Sequence, residues 1–192
     1  MNDRSHGYER NAETFIRARD EWIGPAVARS WAEEFAHGAE VLELGCGHGA
    51  ISQVLVDAGL TLWAIDASPS LLATFRRRFP GVETECAASE ESGFFGRSFD
   101  GVVSVGMLFL LEEPAQRTVL QKAAQALRPG GRLLFTAPRE VCEWTDILTQ
   151  EPSRSLGAAA YETLLRDEGL EVSFGVMDEG KNHYFLATKP FT

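Results

Sequence analysis

Residues 41 to 50 of the chain read VLELGCGHGA, a strand, a turn and a helix start in ten residues. The apolar run predicts a buried strand, and the glycines predict a sharp turn before a helix that opens at Ala50. Glycine lets the backbone bend and lets a ligand approach where a Cβ would clash. The first turn of a helix adds free N–H groups at the same point. The stretch therefore predicts a ligand site at the end of a strand.

A carboxylate follows at the end of the next strand. Asp66 comes directly after the apolar run 62–65 and 21 residues after Gly45. At that position an acid can accept hydrogen bonds from both hydroxyls of a ribose. The spacing Gly45-x-Gly47-x-x-Ala50 also fits the dinucleotide fingerprint. These residues alone therefore leave open a nicotinamide-dependent oxidoreductase, and also a non-catalytic scaffold that keeps the fold.

Short β-branched runs alternate along the chain with longer helical patterns, which is typical of an α/β sheet. The predicted strands are 41–44, 62–65, 82–86, 99–105, 133–137, 170–176 and 183–188. The predicted helices are about 12–23, 25–38, 50–59, 69–79, 114–127 and 157–168. We therefore expect a Rossmann-like, doubly wound, seven-stranded sheet that is mostly parallel, with helices on both faces. The last two strands have no helix between them, so the last strand should be antiparallel.

The domain organisation is expected to be simple. No repeat or low-complexity linker interrupts residues 1–192, which predicts one domain. Residues 128–131 predict a tight turn before the fifth strand. Residues 138–156 lack clean periodicity, and an irregular segment of that length is expected to be functional or mobile.

Composition excludes several classes of protein. The chain has 18 Lys+Arg against 28 Asp+Glu, a formal net charge of -10, which opposes general binding of nucleic acid by a basic face. Its three cysteines lie far apart, without the spacing of a disulfide framework or of a metal site. The sequence also lacks a long apolar segment, so we expect no membrane span and a cytoplasmic location.

Four sequence motifs, which follow one another along the chain, indicate a known family. Residues 43–49 read Glu-x-Gly-x-Gly-x-Gly. The other three segments are AIDASP at 64–69, SFD at 98–100 and LRPGGRL at 127–133. Together they resemble the motifs of the class I S-adenosylmethionine-dependent methyltransferases, and the resemblance covers about residues 41 to 137. The paired last strands are similar to the antiparallel strand of that family.

The resemblance implies S-adenosylmethionine as the cofactor, S-adenosylhomocysteine as the product and a set of cofactor-binding positions. The set comprises Tyr8, Arg19, Glu43, Gly45, Cys46, Gly47, Gly49, Asp66, Ala67, Ala87, Ala88, Val105 and Gly106. Glu43 matches the acid that supports the cofactor's amino group, and Asp66 matches the ribose-binding acid. Tyr8 and Arg19 lie in residues 1–38, which are similar to an N-terminal helical cap that folds over the cofactor.

One position departs from the family. Members usually place an acidic or polar residue against the adenine amine after the third strand, whereas this sequence reads Cys86-Ala87-Ala88 there. Ser89 or backbone groups are expected to take that role.

The resemblance also implies methyl transfer by in-line displacement. A small-molecule acceptor is favoured, because the chain is compact and lacks the Asn/Asp-Pro-Pro-Tyr/Phe motif that nucleic-acid methylation often uses. Residues 138–156 are similar to the family's variable region, which often forms a substrate wall. His183 and Tyr184 are candidate catalytic residues, His183 as a base near neutral pH or merely as the start of a strand. The sequence does not indicate the oligomeric state.

Overall fold

The computed structural model describes residues 3–18 and 24–191, apart from the side chain of Phe174. The helices are α1 (Ala12–Ala18), α2 (Pro25–Ala32), α3 (Ala50–Asp57), α4 (Pro69–Arg78), α5 (Glu113–Ala126) and α6 (Ala158–Asp167). The strands are β1 (Glu40–Leu44), β2 (Thr61–Asp66), β3 (Glu83–Cys86), β4 (Phe99–Ser104), β5 (Leu127–Thr136), β6 (Val141–Thr145), β7 (Pro152–Leu156), β8 (Glu171–Met177) and β9 (His183–Thr188). Short 3₁₀ turns lie at Phe94–Gly96 and Leu108–Leu110.

Seven strands form the main sheet, in the order β3-β2-β1-β4-β5-β9-β8. β1 pairs in parallel with β2 and β4, and β9 pairs antiparallel with both β5 and β8. The predicted fold class is therefore confirmed, including the antiparallel last strand. Chain order reverses between β1 and β4, and open α/β sheets bind ligands beyond the carboxyl ends of their strands at such a point.

Helices cover both faces of this sheet. α2, α3 and α4 pack on one face through side chains such as Trp31, Leu55 and Phe75, which are almost fully buried. α5 and α6 pack on the other face, where Leu120 and Tyr161 are equally buried. The central strands are therefore buried on both sides, which explains their continuous apolar sequences.

Residues 138–156, which the sequence predicts to be irregular, contain a second sheet. β6 and β7 pair antiparallel as a hairpin, with Val141 opposite Leu156 and Thr145 opposite Pro152. Sequence patterning misses these strands because they are short, alternate only weakly in polarity and lie outside the main sheet. The side chain of Trp144 instead packs against Phe109, with ring centroids 5.3 Å apart.

Two other element boundaries also differ from prediction. β5 begins at Leu127, so the turn predicted at residues 128–131 lies inside the strand as an irregularity in its pairing with β4. α2 ends at Ala32 and not near Gly38, because Glu34 and Phe35 continue as tighter turns, with N–H bonds to carbonyls three positions back.

A buried hydrogen-bond network fixes the hairpin to the domain. The hydroxyl of Tyr161 donates to the side-chain carbonyl of Gln116 at 2.6 Å and accepts from the backbone N–H of Leu156 at 3.1 Å. The amide of Gln116 donates to the carbonyls of Leu111 and Arg154. One phenol therefore ties α5, α6 and β7 together.

We predict that Tyr161→Phe lowers the free energy of unfolding by about 1–3 kcal/mol, because it leaves buried polar groups of Gln116 and Leu156 unpaired. Urea denaturation measures the change, with Thr118→Val on the exposed side of α5 as the control. Equal unfolding midpoints for Tyr161→Phe and the unsubstituted protein would contradict this role for the network.

Candidate cofactor-binding site

A cavity of about 330 Å³ opens at the carboxyl ends of β1, β2 and β4. This volume lies in the range of small-molecule sites. It is lined by the N-terminal segment, the turn after β1 and the segments that follow β2, β3 and β4. Residues of β5, of the hairpin and of the start of β9 complete the lining. The predicted residues that line the cavity are Tyr8, Gly45, Gly47, Asp66, Ala67, Ala87, Ala88, Val105, Gly106 and Tyr184.

The glycine turn forms the floor of the cavity. Gly45 and Gly47 have φ angles of 75° and 55°, the left-handed region that favours glycine. A Cβ on Gly45 would lie 2.6 Å from the side chain of Met107, and one on Gly47 would lie 3.3 Å from the ring of Phe15. The sequence therefore needs glycine here both for backbone conformation and for space.

Asp66 lies beside this turn with only 9% of its surface exposed. One carboxylate oxygen accepts from the N–H of Gly47 at 2.7 Å, and the other accepts from the N–H of Ser68 at 2.8 Å. Burial raises the pKa of Asp66, and these two amide bonds oppose that rise. The carboxylate is thus held rigidly in the cavity wall, where lone pairs on its oxygens can accept further donors.

Glu43 lies behind the turn, outside the cavity wall. Its side chain is buried and accepts a hydrogen bond from the hydroxyl of Ser52. Burial raises the pKa of Glu43 to about 8; the Ser52 bond opposes this rise and the charge of Asp66 adds to it. Without a ligand, Glu43 therefore carries a proton through much of the neutral range.

Cys46 and Gly49 were also predicted to bind the cofactor. Both lie in the turn after β1 and do not line the cavity. Gly49 is the N-cap of α3 with a φ of 97°, and a Cβ there would lie 2.3 Å from the ring of Phe79. Burial raises the pKa of the Cys46 thiol well above its usual range, so the thiol stays neutral. Arg19 falls outside the described residues, and its role stays a prediction.

The loop after β3 contributes Ala87, Ala88, Ser89 and Glu90 to the cavity. Lys122 of α5 fixes this loop by donating to the backbone carbonyls of Ser89, Glu90 and Ser92. Sequence reasoning named Ser89 here and missed Glu90. The sequence signal that could have found Glu90 is an acidic residue three positions after Ala87.

An N-terminal strap, residues 3–11, borders the cavity with Arg4, Ser5, His6 and Tyr8. The carboxylate of Glu9 fastens the strap to α4 by accepting from the hydroxyls of Ser68 and Ser70 at 2.5 and 2.6 Å. Arg10 pairs with Glu151 of the 141–156 hairpin at 2.7 Å. The strap therefore bridges the two sides of the cavity opening.

The opposite end of the cavity is largely apolar. It is lined by Val105, Met107, Phe109, Leu110, Leu111, Thr136, Asp146, Asn182 and Tyr184. Within this group the Tyr184 hydroxyl donates to the buried carboxylate of Asp178 at 2.9 Å. Tyr184 is thus one of four polar residues in this wall, and the other five are apolar.

His183 is not part of that wall, which corrects its prediction as a base in the site. Neighbouring residues of a strand point to opposite faces, so the side chain of His183 lies across the sheet from that of Tyr184. Its ring packs edge-on against Phe185 with centroids 4.7 Å apart. Burial, and then the charge of Arg139, lowers the pKa of His183.

Comparison with known proteins agrees with this geometry. Residues 41–131 match the family model described as a methyltransferase domain. The chain is therefore similar to methyltransferases over slightly less than half of its length. The glycine turn and Asp66 both fall inside the matched segment. The resemblance seen in the sequence motifs is therefore confirmed.

Relatives of this chain include proteins with and without an assigned activity. It is 32% identical over 126 residues to an uncharacterised methyltransferase of Mycobacterium tuberculosis, covering 66% of this chain and 46% of that protein. It is 32% identical over 127 residues to a demethylmenaquinone methyltransferase of Paenarthrobacter aurescens, covering 64% of this chain and 49% of that protein. The chain spans about half the length of the curated relatives it matches.

Solved structures share the fold of this chain across nearly its whole length. A putative methyltransferase of Haloferax volcanii, in complex with the Trm112 activator, superposes with a TM-score of 0.78 at 18% identity, covering 99% of both chains. Magnesium protoporphyrin IX methyltransferase of Synechocystis, with bound S-adenosylmethionine, gives 0.75 at 15% identity, covering 98% of both chains. Within the described residues, no helix is long and apolar enough to span a membrane.

The protonated state of Glu43 predicts a pH dependence of stability. Between its ordinary pKa of 4.5 and about 8, folding takes up a proton, so the free energy of unfolding should fall as pH rises. Glu43→Gln removes that titration and keeps an oxygen for Ser52. We therefore expect the stability of the unsubstituted protein, relative to Glu43→Gln, to decrease across this range.

Urea denaturation of both proteins at several pH values tests this expectation. Titration of Asp66 is present in both proteins and therefore largely cancels from the difference. A constant difference between them across the range would show that Glu43 is ionised in the folded protein.

Proposed function

We propose that this domain transfers a methyl group from S-adenosylmethionine to a small-molecule acceptor by in-line displacement, releasing S-adenosylhomocysteine. The observation that carries the proposal is the joint placement of the glycine turn and Asp66 in one cavity wall. This cofactor requires a backbone without side chains that it can approach closely. It also requires a fixed carboxylate that accepts hydrogen bonds from its two ribose hydroxyls.

The described residues fit the cofactor along its length. Gly45 and Gly47 would pass beneath its methionine part, and Asp66 would accept its ribose hydroxyls. Gly106 lies at the end of β4, with a φ of 79° and nothing within 4 Å of a Cβ built on it. That open position is suited to the sulfonium end. Glu43, behind the turn, would support the amino group through the turn's own polar groups or through water.

The chemistry supplied by the bound cofactor is an activated methyl group on a positively charged sulfur. Catalysis by the protein then consists largely of alignment, since an oriented bimolecular step gains about 7–11 kcal/mol. The wall formed by Met107, Phe109 and Leu110 would hold the acceptor against the methyl group while keeping water away. Tyr184, anchored by Asp178, is the candidate group for orienting an acceptor hydroxyl or amine.

A small-molecule acceptor agrees with the form of the cavity and with the net charge of -10. Relatives at 32% identity include the demethylmenaquinone methyltransferase and a ubiquinone biosynthesis O-methyltransferase of Xanthomonas oryzae. Both names refer to quinones, which are small molecules. An apolar wall with few charged side chains is suited to acceptors of that kind.

The two flanking segments would complete the site within a single domain spanning residues 1–192. Residues 1–38 would act as a cap over the cofactor, which agrees with the strap's contacts to α4 and to the hairpin. Residues 138–156 would form the acceptor side, because Asp146 lines the cavity and Trp144 supports Phe109. A cytoplasmic location belongs to the same proposal.

Calorimetric titration with S-adenosylhomocysteine tests the cofactor assignment. We expect saturable binding, with no heat from NAD under the same conditions. Asp66→Asn should weaken binding about 10- to 100-fold, because a hydrogen bond to a charged group is replaced by a neutral one. Asp57→Asn, an exposed change on α3, is the matched control and should bind normally.

Binding of NAD with none of S-adenosylhomocysteine would overturn the proposal in favour of an oxidoreductase. If S-adenosylhomocysteine does bind, incubation with S-adenosylmethionine and a panel of quinols, phenols and amines tests turnover by mass spectrometry. Cofactor binding with no methylated product from any panel member would support the non-catalytic scaffold.

A further inference from the structure

Two hydroxyl groups, those of Thr136 and Tyr184, lie in the cavity wall near the end of β4. The two residues are opposite each other in the pairing of β5 with β9, and both line the cavity. The hydroxyl oxygen of Thr136 accepts from the backbone N–H of Gly106 at 2.7 Å. A Cβ built on Gly24 would lie 2.9 Å from the Tyr184 hydroxyl and 3.7 Å from the side chain of Val105. Both hydroxyls therefore lie close to the open position at Gly106.

The two hydroxyls have opposite hydrogen-bonding capacity towards a ligand. Tyr184 donates its only hydrogen to the carboxylate of Asp178 at 2.9 Å, so its oxygen can only accept from a further molecule. Thr136 is 3% exposed, and among the described residues no group accepts the hydrogen of its hydroxyl. A buried donor without an acceptor is costly, and a ligand in the cavity would supply the acceptor. The wall therefore offers a bound molecule one acceptor and one donor.

The carboxylate of Asp178 lies behind the tyrosine and is fixed by the turn between β8 and β9. It accepts from the backbone N–H of Asn182 at 2.9 Å and from the side-chain amide of the same residue. The N–H of Asp178 donates in return to the carbonyl of Asn182 at 3.1 Å. Asp178 is 9% exposed and does not line the cavity. It therefore reaches a bound molecule only through the hydroxyl of Tyr184.

A hydroxyl group on the acceptor fits this pair better than an amine does. A hydroxyl has one hydrogen and two lone pairs. The hydrogen would bond to Tyr184, one lone pair would accept from Thr136, and the other would face the methyl group. A neutral amine has a single lone pair, which methyl transfer itself uses, so none would be left for Thr136. The apolar residues of the wall, Phe109 among them, suit an aromatic ring as the carrier of the hydroxyl.

We infer that the acceptor is a phenol and that Tyr184 and Asp178 remove its proton. The inference rests on the proposed function and names the substrate class of the same site. As the phenol oxygen bonds to the methyl carbon, its hydrogen passes to the oxygen of Tyr184, and the hydrogen of Tyr184 passes to Asp178. The bond between that carbon and sulfur breaks with its electron pair on sulfur, which leaves a neutral thioether. Asp178 later releases the proton to water, so Tyr184 is the catalytic residue and Asp178 a positioning residue.

Binding tests the acceptor class without turnover. The complex with S-adenosylhomocysteine is titrated by calorimetry with phenols and with anilines that carry the same ring substituents. Each phenol should bind about 10-fold more tightly than its aniline, because it makes one more hydrogen bond. Incubation with S-adenosylmethionine should methylate the phenols at oxygen.

Turnover separates proton removal from a structural role of the turn. With the phenol that binds most tightly, Asp178→Asn should lower kcat about 100-fold and leave KM within about threefold. A nitro-substituted phenol that is already ionised at mildly alkaline pH has no proton to give, so its kcat should fall less than about threefold. Tyr184→Phe leaves the bonds of Asp178 to Asn182 in place and should lower kcat for the un-ionised phenol as strongly. Glu179→Gln, an exposed change in the same turn, is the matched control for the lost charge.

Methylation of anilines and of no phenol would overturn the inference. An equal loss of kcat for both phenols in Asp178→Asn would also overturn it, because a purely structural role of the turn affects both alike. Unchanged kcat in both Asp178→Asn and Tyr184→Phe, or binding of S-adenosylhomocysteine without methylation of any phenol, would do the same. Absence of any S-adenosylhomocysteine binding would instead count against the proposed function.

Discussion

The hydrogen bond from the Gly47 N–H to the carboxylate of Asp66 is the contact on which the site depends. The same carboxylate accepts from the N–H of Ser68, the N-cap of α4. The hydroxyl of Ser68 caps α4 and also donates to Glu9 of the strap. One buried acid therefore sets the positions of the glycine turn, of a helix and of the segment that borders the cavity opening.

Charge in the site is arranged for a ligand with positive charge. Glu43 and Asp66 are both buried, and burial raises the pKa of both carboxyls. Each carboxyl is thus harder to ionise than in water, and a cation nearby would offset that cost. S-Adenosylmethionine carries a sulfonium and an ammonium against one carboxylate, so its net charge is complementary to these acids.

The central sheet was predictable because its strands are buried on both faces and therefore read as short apolar runs separated by helical patterns. The motif from Glu43 to Gly49 also pointed to the cavity that is the candidate cofactor site, since glycine is favoured where φ is positive. The hairpin at 141–156 could not be found in this way. Its strands form a separate two-stranded sheet, and their short sequences lack a strong apolar alternation.

The direction of side chains on the last strand was the second feature that the sequence could not predict. Sequence reasoning placed His183 and Tyr184 together at the start of the last strand, but it could not decide which faces the cavity, because a shift of one residue reverses the faces of a strand. Pairing of Thr136 with Tyr184 settles the direction and places the tyrosine in the wall. Glu90 was missed for a related reason, since the path of the loop after β3 depends on its contacts with Lys122.

A crystal structure of the protein with S-adenosylhomocysteine tests the central claim most directly. The account predicts the ribose hydroxyls within hydrogen-bond distance of Asp66, the methionine part over Gly45 and Gly47, and the base beside the loop that contains Glu90. A ligand bound elsewhere, or in this cavity with its ribose away from Asp66, would contradict the account.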